Sequence, residues 1–155
     1  MTRSALGQTE VVVSRVGLGG FELGPGEGEE PDVGSAIGVL QASIDAGVKW
    51  VDTSENYLGT RNETLVGAAL AQVDPEFRVA TKVAPRAAIT GGGSGFGRSQ
   101  VHAACRASLR RLGREVIDVY FLHWPDDTGV PLEETWGDGG ARRGGPGPGD
   151  RHVEL

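Results

Sequence analysis

Apolar and polar positions alternate along residues 1–136 with two periods, one of strands and one of helices. Val11–Val13 is a short β-branched run, and Arg15–Gly20 reads as a second short strand closing on Gly-Gly. Ile37, Leu40 and Ile44 recur at helical spacing, which predicts a helix from about Ser35 to Ala46, with Gly47 as its terminating glycine. Val48–Asp52 (VKWVD) is the next strand. Asn62 is placed as the N-cap of a second helix whose buried side carries Leu65, Val66, Ala69, Leu70 and Val73. Arg78–Lys82 is a strand. A third helix is expected from about Ser99 to Gly113 through Val101, Cys105, Leu109 and Leu112. Asp118–His123 is the last strand, and Pro131–Trp136 reads as the first turn of a fourth helix. Gly24–Pro31 and Ala87–Arg98 are loops; the run Gly91–Gly97 lacks the Lys-Ser/Thr ending of a phosphate loop.

Strands alternating with helices imply right-handed βαβ units and a parallel sheet. The expected fold is α/β, a partial (β/α)8 TIM barrel of about four βα units, since a whole barrel typically needs about 250 residues. The chain has 155.

Composition divides the chain. Residues 1–136 form the expected half barrel. Residues 137–155 hold seven Gly and two Pro, with only Ala141, Val153 and Leu155 apolar. Such a segment buries too little surface to offset its ordering entropy, so a disordered Gly/Pro/Arg-rich tail is expected. Its excess of Gly, Arg, Ala and Pro also suits an out-of-frame reading of a GC-rich gene. Net charge is −6, which disfavours nucleic acid as a partner. No apolar run reaches membrane-spanning length, and no signal peptide is visible, so neither a membrane nor export is expected. Cys105 is the single cysteine; it excludes an internal disulfide and fits a reducing, cytoplasmic location. Its apolar neighbours on the helix predict a buried, inert thiol. His102 is expected to be solvated, and no metal-ligand set is found.

Candidate chemistry sits at the strand ends. Asp52, Lys82 and His123 each close a strand in three successive units, and Tyr57 follows five residues after Asp52. In a parallel sheet the C-terminal strand ends share one edge, where barrel enzymes place their active sites. Convergence of Asp52, Tyr57, Lys82 and His123 is therefore expected. A Lys ammonium favours the charged form of a neighbouring phenol, a carboxylate can hold that Lys, and a His can donate a hydrogen bond to a substrate oxygen. Such a set suits protonation of a carbonyl oxygen. No side chain delivers hydride, so a nicotinamide would be required.

The segments VSRVGLGGFELG, ASIDAGVKWVDTSENYLGTRNETLVGAAL, VATKV and DVYFLHWPD resemble the aldo/keto reductases over roughly residues 10–136. The family's Asp-Thr-Ser/Ala-x-x-Tyr pattern is matched by Asp52, Thr53, Ser54 and Tyr57. Its strand-ending Lys is matched by Lys82, and its Leu-His-Trp/x-Pro segment by Leu122–Pro125. The resemblance implies a (β/α)8 barrel and NADP(H)-dependent reduction of a small-molecule carbonyl substrate. Tyr57 is then the proton donor, Lys82 and Asp52 its partners, and His123 the orienter of the carbonyl. Gly19, Gly20, Phe21 and Asp52 match positions near the cofactor, and Trp124 is a candidate substrate contact. The family's later strands, with their carboxamide and adenosine-phosphate contacts, find no match here. The expectation is thus an acid–base centre without most of its cofactor clamp, or a non-catalytic interaction piece that self-associates through exposed sheet edges.

Overall fold

The computed structural model describes residues 1–24, 32–85, 96–125 and 129–136. The expected tail over 137–155 and most of the two glycine-rich loops lie outside these residues.

The chain opens with an antiparallel hairpin of β1 (Arg3–Ala5) and β2 (Val12–Ser14). There follow β3 (Leu18–Gly19), a 3-10 turn (Phe21–Leu23), α1 (Val33–Asp45), β4 (Trp50–Asp52) and a second 3-10 turn (Tyr57–Thr60). The rest comprises α2 (Arg61–Val73), β5 (Arg78–Val83), α3 (Arg98–Leu112), β6 (Val119–Leu122) and α4 (Leu132–Trp136). Strands β3–β6 form one parallel sheet in sequence order. Parallel strands laid down in order, each followed by a helix, are successive units of a (β/α) barrel. Among the described residues no helix is long and apolar enough to cross a membrane.

The register decides which face carries the chemistry. Gly19 pairs with Asp52, Asp52 with Ala80, and Lys82 with Phe121. Side chains alternate along a strand, so Gly19, Asp52, Ala80, Lys82 and Phe121 share one face. Val51, Val79, Thr81 and Val83 occupy the other and pack under the helices. The larger core joins Val51 and Val79 to Leu40 of α1, Val66 and Leu70 of α2, and Leu112 at the end of α3. Full burial of each Leu is worth about 1.5–3 kcal/mol relative to exposure. A smaller cluster joins Val83, Phe96, Val101 and Ala104, flanked by Tyr120 and Leu122. Gly67 lets α2 meet the end of α3: a Cβ there would lie 2.3 Å from the carbonyl oxygen of Leu112.

Several sequence expectations change in detail. The strand expected over Arg15–Gly20 shrinks to Leu18–Gly19. The Ser14 hydroxyl donates to the Val16 carbonyl at 2.7 Å and bends the chain, and Gly17 lies so close to Trp50 that a Cβ would be 2.4 Å from the indole. Helix α1 begins at Val33, not Ser35, because the Asp32 carboxylate caps it, accepting from the amides of Gly34 and Ser35 at 3.1 and 2.8 Å. Asn62 is no N-cap. It lies inside α2, and its buried side chain bonds to other segments. The expected end of the third helix holds: Gly113 takes φ +65° after Leu112. His102 is half-buried rather than fully solvated, because its helix packs against the sheet. The Arg3–Ala5 strand was not foreseen, since its residues are polar or small and all exposed.

Candidate active site

Asp52 ends β4, and the loop after it turns back over the C-terminal edge of the sheet. Three bonds fix this loop. The Thr53 amide donates to the Ala80 carbonyl at 2.9 Å, the Glu55 amide donates to the Lys82 carbonyl at 3.2 Å, and the Glu55 carboxylate accepts from the Ala84 amide at 2.9 Å. Asn62 ties the same loop to β3. Its amide group donates to the Gly20 carbonyl at 2.9 Å while its side-chain oxygen accepts from the Thr53 hydroxyl. The chain then passes through Leu58, Gly59 and Thr60, all at positive φ, and enters α2. Leu58 and Thr60 adopt a conformation that residues with a Cβ visit rarely, so the loop is held in a specific, costly shape.

That shape brings the four expected residues together. The Lys82 ammonium lies 2.8 Å from Asp52 Oδ2, donates to the Thr53 carbonyl at 2.8 Å, and lies 3.1 Å from the Tyr57 hydroxyl. It also stands 4.8 Å from the centre of the Tyr57 ring. The His123 ring meets Tyr57 edge-on at 5.6 Å, and Trp124 lies against His123 at 4.4 Å between centroids. Phe21 also packs edge-on against Tyr57, at 5.0 Å, and is itself exposed. Burial, aided by the Lys82 cation, holds His123 below the usual histidine pKa; Asp52 and Glu55 oppose this more weakly.

The positions expected near a cofactor divide by role. Gly19 faces open space, with nothing within 4 Å of where a Cβ would stand. The backbone of Gly20 is committed to the scaffold, its amide donating to the Asp52 carbonyl at 2.7 Å and its carbonyl accepting from Asn62. Asp52 Oδ1 is buried and has no hydrogen-bond partner among the described residues. An orphaned buried acceptor beside an open glycine fits a ligand hydroxyl such as that of a ribose.

Sequence reasoning missed the polar groups beneath the site. Glu63 is fully buried; its carboxylate accepts from the Thr81 hydroxyl at 2.6 Å and from Arg111 Nε at 2.7 Å. Arg111 also stands 3.8 Å from the buried Glu55 carboxylate. Ser54 is buried beside His123. A signal did exist: Asn62 and Glu63 stand four residues before Val66 and Gly67, on the buried side of α2.

A parallel sheet of successive βα units, with a lysine, carboxylate, phenol and imidazole gathered at its C-terminal edge, defines the class as part of a (β/α) barrel carrying an acid–base cluster. Comparison with known proteins narrows this. The sequence model of the aldo/keto reductase family matches residues 15–138. Aldo-keto reductase YhdN of Bacillus subtilis is 31% identical over 137 residues, covering 87% of this chain and 41% of that protein. Probable aldo-keto reductase 1 of Glycine max is 32% identical, covering 86% and 39%. Among solved structures, the holo form of aldo-keto reductase AKR11C1 from Bacillus halodurans superposes with a TM-score of 0.72 at 30% identity, over 88% of this chain and 44% of that one. An aldo-keto reductase from Klebsiella pneumoniae in complex with NADPH gives 0.64 at 32%, over 81% and 40%. The chain belongs to the aldo/keto reductase family, and its fold is part of that family's α/β barrel. It spans about two-fifths of the length of the curated relatives it matches.

Proposed function

We propose that this site is the acid–base centre of an NADP(H)-dependent reduction of an aldehyde or ketone to an alcohol. The observation that carries the reading is Lys82, which touches both Asp52 and the Tyr57 hydroxyl. Tyr57 donates its proton to the carbonyl oxygen. The ammonium 3.1 Å away stabilises the negative charge left on the phenol oxygen, and Asp52 with the Thr53 carbonyl keeps that ammonium in place. A nicotinamide, when bound, supplies the hydride that no side chain can supply. Asp52 Oδ1, Gly19 and Phe21 are the residues of this chain suited to hold part of it, and Gly20, near the cofactor by resemblance, serves by fixing the turn between them. A related protein bound to NADPH supports the choice of cofactor. Trp124, which lies against His123, is the proposed substrate contact, and a cytoplasmic location agrees with the single buried thiol. The test is aldehyde-dependent NADPH oxidation by the purified chain across small aldehydes and ketones. Consumption that ignores the carbonyl compound refutes the reading.

A second reading, a non-catalytic interaction piece, is favoured by one observation. Phe121, on the face shared with Lys82, is 43% exposed, and Trp124 just beyond it is 36% exposed. Strand β6 is an edge of the sheet among the described residues. Apolar groups on an open edge favour pairing with another chain. Light scattering and an NADPH titration separate the two: a monodisperse monomer that binds cofactor supports the enzyme, and an oligomer that does not bind supports the interaction piece.

A further inference from the structure

Ser54 makes three polar contacts with a single hydroxyl hydrogen. Its Oγ lies 2.6 Å from Asn56 Oδ1, 3.3 Å from the Lys82 carbonyl oxygen and 2.9 Å from His123 Nδ1. The first contact decides where the hydrogen goes. Two oxygens at 2.6 Å with no hydrogen between them repel. The amide oxygen of Asn56 faces Ser54 and can only accept, so Ser54 donates to it. The serine then has only lone pairs left for His123.

We infer that Ser54 and Asn56 are positioning residues that fix the tautomer of His123, with the hydrogen on Nδ1 and the lone pair on Nε2. Nδ1 donates to Ser54, whose own hydrogen is committed to Asn56. Nε2 has no partner among the described residues and is the nitrogen left for a ligand. The neutral ring therefore offers an acceptor, not a donor. It becomes a donor at Nε2 only by taking up a proton there, and Ser54 need not reorient when it does. The charged and titratable groups around the ring are Lys82 from β5, Asp52 at the end of β4, and Glu55 and Tyr57 from the segment after it.

The consequence for chemistry rests on the carbonyl-reduction reading; the tautomer does not. Under that reading Tyr57 is the neutral-state donor to the carbonyl oxygen. His123 accepts a hydrogen bond from the hydroxyl of the alcohol, which reverses the donor role that the residue type alone suggests.

The test needs neither cofactor nor substrate. Imidazole nitrogens of the 15N-labelled chain are observed by long-range proton–nitrogen NMR above the histidine titration range, with His123 assigned through His123→Gln. The expected spectrum shows Nδ1 protonated and Nε2 bare; a bare Nδ1 in the unsubstituted protein overturns the inference. Asn56→Ala releases the serine hydrogen toward Nδ1 and is expected to change the tautomer ratio by roughly tenfold, the scale of one net hydrogen bond. Asn56→Asp keeps an acceptor oxygen and is expected to keep the original tautomer. Ser54→Ala, which removes only one oxygen, is expected to loosen the preference as Asn56→Ala does. A ratio unmoved by both alanine substitutions, or moved equally by Asn56→Asp and Asn56→Ala, overturns the role of the pair. Since the readout is independent of turnover, a chain that reduces no carbonyl can still pass or fail it.

Discussion

Replacing Arg111 by Met tests the polar layer under the site. Met keeps much of the length of the arginine stem but brings no charge. In the native protein Arg111 Nε holds the Glu63 carboxylate at 2.7 Å, and that residue is fully buried. Without Arg111, Glu63 keeps only the Thr81 hydroxyl, and Glu55, buried as well, loses the cation 3.8 Å away. Breaking a buried ion pair by removing one partner costs about 3–5 kcal/mol. The arginine side chain is 23% exposed, so water screens part of the interaction and the lower end, ~3 kcal/mol, is expected. That is a large share of the ~5–15 kcal/mol that holds a domain folded. At this chain length it lowers Tm by about 6–12 °C. Urea unfolding followed by circular dichroism gives the same quantity by linear extrapolation. The companion variant carries Glu63→Gln together with Arg111→Met. With the buried charge gone, it is expected to be more stable than Arg111→Met alone. A loss under ~1 kcal/mol for the single variant, or a double variant that loses the sum of the two singles, refutes this account of the layer.

Three further outcomes follow from the structure. Gly67→Ala drives a methyl into the Leu112 carbonyl, forces α2 and α3 apart, and is expected to cost at least ~1–3 kcal/mol in thermal unfolding; an unchanged Tm contradicts the close approach. His123 is expected to titrate below the ordinary histidine value in an NMR pH series. The folded state then resists protonation, the unfolded chain binds more protons, and the residue's effect is to lower stability as pH falls from about 6.5 through the depressed value. A midpoint at or above the ordinary value contradicts it. Burial pushes the Cys105 thiol up to about 12, so it is expected to resist alkylation at about pH 8 and to react fully once urea unfolds the chain; rapid labelling of the native protein contradicts its burial.

The helix and strand order was legible because each unit carries its own period, and the convergence of Asp52, Tyr57, Lys82 and His123 was legible because parallel strands put their ends on one edge. Less readable were features that depend on partners distant in sequence. Asn62 carries a capping residue type at a helix start, yet its side chain serves Gly20 and Thr53, 42 and 9 residues away. Helix α2 starts after Thr60 with no side-chain cap, whereas α1 is capped by Asp32, which a Val and a Gly separate from Ser35. The ion partner of the buried Glu63 is Arg111, 48 residues later, which no local period discloses. Ser54 sits within the motif that carries the resemblance, but its link to His123 spans 69 residues and became visible only through distances.

The most direct test of the central claim is the turnover of Tyr57→Phe against the unsubstituted chain, with NADPH and an aldehyde each varied through saturation. Removing one hydroxyl removes the proposed proton donor and leaves the ring contacts with Phe21 and His123 in place. The account predicts aldehyde-dependent NADPH oxidation by the unsubstituted chain and a fall in kcat of ~10²-fold or more in the variant, with KM changed far less. Equal kcat values in the two proteins would contradict it.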